Sequence, residues 1–306
     1  MPHPLHPPSG QRRRAVLVVL AGLAAVLAAC APDATSTPTR ATAQRIVSLA
    51  PSATEVLFEA GCGARVVGVT SYCRHPAQAT TLPKVGGYLT PSYEALVALR
   101  PDLVVLLPEH VEARRDVTTL GLNVIEFDHR SIRGILDSIA TAGDQCGTRA
   151  RADAALAELE GLLRGVDQRT EGQPRPRVVI SVGRGQERGF GSLSAAGPDG
   201  VYHDLLLRAG GQNAVPPGPV LHPALSPESL IRLNPDAVVE FAPGAVDGTA
   251  IREEWRALPS LTAVARQRVF VFTEDFLPVP GPRLVRFADT LARALHPDAP
   301  HTRRLQ

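Results

Sequence analysis

The sequence predicts an α/β protein: two Rossmann-like lobes with parallel sheets, joined by one long α-helix. Three observations predict it. Apolar runs of strand length alternate with helix-spaced segments through both halves of the 306-residue chain, the pattern of parallel sheets flanked by helices. Residues 148–170 carry one uninterrupted helical pattern with no proline between those halves. Finally, Ser92–Val105 aligns without gaps to Ser226–Val239, with eight of fourteen positions identical at an offset of 134. Self-similarity of that kind marks duplicated architecture.

Taken in order, Arg45–Leu49 reads as the first strand. Ser52-Ala-Thr-Glu55 then reads as a capping-box helix start, a hydroxyl followed three residues later by a carboxylate. Residues 65–69, 103–107 and 123–127 read as further strands, and Ser92–Leu99 and Val111–Leu120 as helices. In the long helical pattern, Ala152, Ala155, Leu156, Leu159, Leu162, Leu163 and Val166 fall on one stripe. At 1.5 Å per residue it reaches roughly 35 Å, enough to bridge two lobes. A polar, proline-rich break follows at residues 171–177. The alternation then resumes with strands at 177–182, 237–241 and 268–273. Helices fit Val201–Ala209, Ser226–Leu233 and Arg283–Leu295, the last with Pro282 at its first turn.

The N-terminus has a different character. A basic stretch ending in Arg12-Arg13-Arg14 precedes an apolar run, Ala15–Leu27, that is too short for a spanning anchor. Together they form an export signal. Its end, Leu27-Ala28-Ala29-Cys30, resembles the bacterial lipobox, which implies cleavage before Cys30 and lipidation of that cysteine. Residues 31–44 are rich in Pro, Thr, Ala and Ser without periodicity, a tether composition. The expected division is leader 1–29, tether 30–44, N-terminal lobe 45–147, bridging helix 148–171, C-terminal lobe 172–297 and tail 298–306. The expected location is the cell envelope, at the outer face of a membrane.

Charge excludes one class of function. Of 32 Lys and Arg, Arg12, Arg13 and Arg14 precede Cys30, and none of the 30 acids does, so the remainder carries a net charge of −1. Such a chain lacks the electrostatics of a nucleic-acid binder, and 4% aromatic content leaves little for base stacking. Enzyme signatures are absent too. Gly183-Arg-Gly185-Gln-Glu-Arg-Gly189 has GxGxxxG spacing, which is not the dinucleotide fingerprint, and no Walker A, GxSxG or HExxH sequence occurs. Cys62, Cys73 and Cys146 remain after the leader; one pair can form a disulfide in an oxidising compartment, and spacing does not say which.

Three stretches carry a family resemblance: Arg45-Ile-Val-Ser-Leu-Ala-Pro-Ser-Ala-Thr-Glu55, Val67-Gly-Val-Thr-Ser-Tyr-Cys-Arg-His-Pro76 and Glu94-Ala-Leu-Val-Ala-Leu-Arg-Pro-Asp-Leu-Val-Val105. They resemble the helical-backbone metal receptors, the class III substrate-binding proteins of ABC importers for cobalamin, ferric siderophores and haem, and most closely the cobalamin-binding members. The resemblance implies a receptor, with no catalysis and no resident cofactor. Its ligand is a corrinoid or iron chelate held between lobes, and its partner is an ABC permease dimer with a cytoplasmic ATPase. It implies that Glu94 and Glu228, at equivalent places in the repeat, pair with arginines on the two permease subunits. Duplicated carboxylates suit a two-fold partner and mainly set register and on-rate. The resemblance also puts Tyr72, Tyr88, Phe190, Asp275 and Phe276 at the ligand cleft. Loops after strands, where ligands of open sheets bind, likewise carry His75, His110 and His222, candidate ligands for a metal in the cargo. Arg74, Arg184, Arg188 and Arg283 are candidate grips for an anionic chelate. The alternatives are a haem or siderophore receptor of the same fold and, from another class, a two-lobed metallocluster or nicotinamide oxidoreductase. Trp255, the only Trp, reads as helix packing.

Overall fold

The computed structural model describes residues 1, 42–184, 191–244 and 247–299. The leader, Cys30, Arg188 and Phe190 lie outside the described residues. Contacts divide the chain into Met1–Ala41 and Thr42–Gln306, and the elements below all belong to the second unit.

The first lobe runs β1 (Ile46–Ser48), α1 (Pro51–Glu59), β2 (Val66–Val69), α2 (Ala77–Thr80), α3 (Tyr93–Ala98), β3 (Leu103–Leu106), α4 (Val111–Thr119), β4 (Val124–Glu126) and α5 (Ile132–Cys146). Its four strands are all parallel in the order β2-β1-β3-β4, with Ile46 beside Leu103 and Val104 beside Val124. The central strands β1 and β3 are buried along their whole length, as the apolar runs require for a sheet covered on both faces.

α1 starts differently from the sequence reading. Its N-cap is Ala50, with Pro51 at the first turn and no side-chain cap. Ser52 is buried and shares a hydrogen bond with His129 Nδ1 at 2.9 Å, and Glu55 is turned toward Arg283. The capping-box residues are therefore taken up by long-range contacts, and proline supplies the start instead, since its missing N–H costs nothing there. α5 occupies a stretch left unassigned by the sequence reading. Ser131 caps it by accepting from Gly134 N, Ile135, Ile139 and Ala142 line its buried face, and Gly147 ends it in the left-handed conformation at φ 63°. A disulfide joins Cys146, at the end of α5, to Cys62 just beyond α1. Among the described residues Cys73 is the free thiol, and it is buried.

α6 (Arg149–Thr170) is the predicted rod, 22 residues and about 33 Å long. Beyond it come β5 (Arg177–Arg184), β6 (Leu193–Ala195), α7 (Val201–Arg208), β7 (Gln212–Asn213), β8 (Ala224–Leu225), α8 (Pro227–Leu233), β9 (Ala237–Phe241), α9 (Gly248–Trp255), α10 (Thr262–Ala265), β10 (Val269–Phe272) and α11 (Pro282–Leu295). The sheet order is β10-β9-β5-β6-β8, with β7 also pairing β5. β10, β9, β5 and β7 are parallel, as expected, but β6 and β8 add antiparallel pairings. Parallel neighbours need a crossover of a dozen or more residues, and the eight residues between β5 and β6 are too few. Trp255 is fully buried at the end of α9, its indole N–H donating to Glu240, which bears out the packing role. No described helix is long and apolar enough to cross a membrane.

The repeat is a structural repeat. Ser92 and Ser226 each cap their helix by accepting from the backbone N–H three residues on, worth about 1 kcal/mol apiece. Leu96 and Leu230 are fully buried. Arg100 and Asn234 take the same left-handed turn, at φ 45° and 40°. Asp102 accepts from Arg45 N and Asp236 from Arg177 N, while the Arg45 guanidinium donates to Leu99 O and that of Arg177 to Leu233 O. Each lobe thus locks its helix to its first strand with the same four groups.

Candidate functional site

The strand ends of both lobes converge on an open cavity of about 540 Å³. Its walls come from the start of α1 and three loops. Pro51 and Ser52 follow β1, Tyr72 follows β2, Tyr88 and Leu89 lie on the segment before α3, and Pro278, Val279 and Pro280 follow β10. The surfaces offered are therefore phenol rings and a leucine from one lobe against a proline-rich shelf from the other, with the exposed Thr90 as a polar point. Such a lining suits a bulky ligand with a large apolar surface and few polar anchors.

The backbone that presents Tyr88 is tightly constrained. Gly86 sits at φ 96°, and a side chain there would lie 2.7 Å from Ser92 N, so only glycine fits. Gly87 N donates to Thr90 O and Ser71 N to Gly86 O. The Tyr88 hydroxyl donates to Glu109, and burial together with that carboxylate pushes the phenol pKa up. Tyr88 therefore stays neutral and fixed. Tyr72 stands freer, 60% exposed, on a loop pinned at Cys73 by hydrogen bonds between its thiol and the Thr54 and Thr70 hydroxyls.

The remaining candidates divide. His110 is buried, with Nδ1 accepting from Leu107 N at 3.1 Å and Nε2 2.9 Å from Tyr88 O. Both ring nitrogens are thus engaged by backbone, and the side chain supports Tyr88 edge-on rather than offering a metal ligand. Phe276 does not line the cavity. It is half-buried against Phe287 under the Arg283 guanidinium, and Pro278–Pro280 take the place expected for it. Asp275 is exposed and pairs with Arg283 at 3.0 Å. His222 lies beside Tyr202, whose hydroxyl donates to Leu277 O next to the shelf; desolvation holds its imidazole below the ordinary histidine pKa. His75 lines a separate hollow of about 270 Å³ with Glu55, Arg283 and Arg286. Desolvation and Arg283 push its pKa down. No group of three or more metal-ligating side chains exists among the described residues.

Two of the arginine candidates are committed elsewhere. Arg184 is bound by Glu240 and Glu254 in the second lobe. Arg283, from α11, reaches across to Glu55 on α1 at 2.6 Å, and three residues on Arg286 reaches Glu59 at 2.7 Å and Glu158 of the long helix at 3.0 Å. This ladder ties the C-terminal helix to the first lobe and to the long helix. Glu55 is nearly buried, with Oε2 lacking a hydrogen-bond partner, and burial pushes its carboxyl above the ordinary glutamate pKa despite Arg283.

Glu94 and Glu228 are both exposed in the first turns of α3 and α8. The C-terminal ends of these helices are bound by Arg45, just before β1, and by Arg177, the first residue of β5. Their N-terminal turns therefore lie toward the opposite ends of the sheets, the side that bears the cavity. The Ser226 hydroxyl holds the Glu228 carboxyl below the usual range, so it is ionised at neutral pH.

The sequence reading missed the proline shelf and Leu89. The signal was the run Leu277-Pro-Val-Pro-Gly-Pro282, too proline-rich for a helix and placed after a strand.

Residues 46–275 match the family described as "Periplasmic binding protein". A Halobacterium salinarum protein named "Cobalamin-binding protein" is 30% identical over 280 residues, covering 87% of this chain and 73% of its own. An "Uncharacterized ABC transporter substrate-binding lipoprotein" of Bacillus subtilis is 26% identical over 265 residues, covering 83% and 81%. The crystal structure of a periplasmic heme binding protein from Pseudomonas aeruginosa matches with a TM-score of 0.70 at 27% identity, covering 84% and 94%.

Proposed function

The chain belongs to the periplasmic binding protein family, and from that premise we propose that it is the lipid-anchored substrate-binding component of an ABC importer. It captures a metal chelate, a cobalamin-type corrinoid first among them, and delivers it to a permease dimer driven by a cytoplasmic ATPase. The observation that carries this reading is the cavity between Tyr72, Tyr88 and Leu89 on one side and Pro278–Pro280 on the other, at the strand ends where open sheets bind ligands. The relative named for cobalamin supports the corrinoid. The lipoprotein relative, the Leu27-Ala28-Ala29-Cys30 sequence and the Cys62–Cys146 disulfide support an oxidising envelope location with an anchor at Cys30.

Function here is binding and release, with no bond made or broken. The apolar walls drive capture, and the strapped Tyr88 loop arrives pre-organised, which reduces the ordering cost of binding. The long helix and the Arg283–Glu55 ladder limit lobe motion to a modest hinge. Glu94 and Glu228 present one charge from each lobe to cationic groups on a two-fold permease. A second reading, haem, is favoured by the exposed phenol of Tyr72 at the cleft and by the heme-binding structural relative.

Calorimetric titration of the full mature chain with cyanocobalamin, haemin and a ferric hydroxamate separates these readings. The corrinoid is expected to bind one per chain with Kd below about 1 μM, roughly −8 kcal/mol. Haemin binding alone selects the second reading, and no ligand tighter than about 1 mM contradicts both.

A further inference from the structure

The two docking helices share more than a glutamate. Val97 lies three residues beyond Glu94, and Ile231 three beyond Glu228, at matching places in the repeat. Side chains at that spacing share one helix face. Each of these two apolar residues is 45% exposed. The next residue back in each helix, Leu96 or Leu230, is fully buried, so the inward face is already supplied. Val97 and Ile231 therefore contribute little to either core.

A solvent-facing β-branched residue is a poor choice for a short helix. It loses rotamer freedom there and keeps apolar surface in water. Isolated, it would call for no explanation. What calls for one is the comparison inside the chain. An exposed neighbouring position has drifted between the two copies: Ala98 aligns with Arg232. At 97 and 231 the residue has changed, yet it has stayed β-branched, apolar and equally exposed. Both helices are held in the same way, by the Ser92 and Ser226 caps at their starts and by the Arg45 and Arg177 guanidiniums at their ends. Each lobe thus displays one carboxylate in the first turn of its helix and one apolar knob a turn further on, along one helix face.

We propose that Val97 and Ile231 are apolar anchors for the permease, each entering a small hydrophobic socket next to the cationic group that meets Glu94 or Glu228. The inference rests on the docking reading of the glutamates and adds to it a division of labour. The carboxylates steer and set register, and they weaken with salt. The knobs lose water on contact and hold the complex, mainly by slowing dissociation. The occupant is the two-fold permease rather than a second copy of this chain, because the two exposed carboxylates, one at the same place on each lobe, match a partner with two equivalent cationic groups, whereas a second copy would set Glu94 and Glu228 against their own kind.

The test measures binding of the full mature chain to its permease–ATPase complex in nanodiscs, at 50 and 500 mM salt, for wild type, Val97→Ser/Ile231→Ser and Glu94→Gln/Glu228→Gln. The serine pair is expected to bind about thirtyfold more weakly at both salt concentrations, mostly through faster dissociation. The glutamine pair is expected to lose affinity chiefly at low salt and to flatten the salt dependence. Calorimetry against cyanocobalamin and haemin confirms the fold if the serine pair matches wild type. If the serine pair binds the permease within twofold of wild type while the glutamine pair is weakened, the anchors are refuted and the glutamate docking stands. If neither pair changes binding, the docking reading falls and the anchors fall with it.

Discussion

Replacing Arg283 by Met probes the ladder that ties the C-terminal helix to the first lobe. Arg283 is 22% exposed and its partner Glu55 4%, so the substitution strands a buried carboxylate whose Oε2 already lacks a partner. Breaking a buried pair from one side costs about 3–5 kcal/mol, and the partial exposure of Arg283 places this case near 3. For a chain of this size each kcal/mol lowers Tm by about 2–4 °C, so scanning calorimetry at pH 7 should record a fall of roughly 6–12 °C. The loss should depend on pH. Burial already holds the Glu55 carboxyl above its ordinary value, and Arg283 is the main influence opposing that; removing it raises the pKa further. An acid with a raised folded-state pKa contributes stability below its unfolded pKa and loses it as pH rises through the folded one. The deficit should therefore be smallest in acid, where the carboxyl is protonated in either variant, and grow as pH rises. Adding Glu55→Gln removes the stranded charge and should bring stability back to within about 1 kcal/mol of wild type. A deficit uniform across pH, or a double variant weaker than the single one, would refute the reasoning.

Other consequences are equally measurable. The Cys62–Cys146 bond closes a loop of 84 residues, so replacing both by Ala should cost roughly 4.5 kcal/mol through loop entropy and lower the urea midpoint by about 2 M. Tyr72→Ala should weaken ligand binding about tenfold, roughly 1.4 kcal/mol, and leave Tm unchanged, because the ring is 60% exposed. Phe276→Ala should do the reverse. It loses packing against Phe287 and costs roughly 2 kcal/mol of stability, below the value for a fully buried Phe, with ligand affinity retained.

Much of the fold was legible because its signals are local. The stripe from Ala152 to Val166 gave the long helix, and buried strands such as Leu103–Leu106 announced themselves as unbroken apolar runs. Ser92 and Ser226 acted as caps, as their place before an apolar run implies. Ser52 and Glu55 show where local reasoning fails. They have capping-box spacing, but His129 and Arg283, 77 and 228 residues away in sequence, claim both side chains. α5 was missed although Ser131, Ile135, Ile139 and Gly147 carried its start, face and stop. At the site, Tyr72 and Tyr88 were found through resemblance and do line the cavity. Phe276 was placed there by the same resemblance and His110 by its loop after a strand. One is drawn into an aromatic cluster and the other spends both nitrogens on backbone, outcomes set by tertiary packing. The second lobe's antiparallel strands escaped notice because two- and three-residue strands carry almost no periodicity.

The central claim is that this chain holds its cargo in the cleft and hands it over through one carboxylate on each lobe. Uptake into proteoliposomes bearing the permease–ATPase complex, driven by wild type or Glu94→Arg/Glu228→Arg at saturating ligand, tests it most directly. The account predicts at least a tenfold loss of uptake with calorimetric ligand affinity unchanged. Unimpaired uptake by the double variant, or a loss traced to weaker ligand binding, would contradict it.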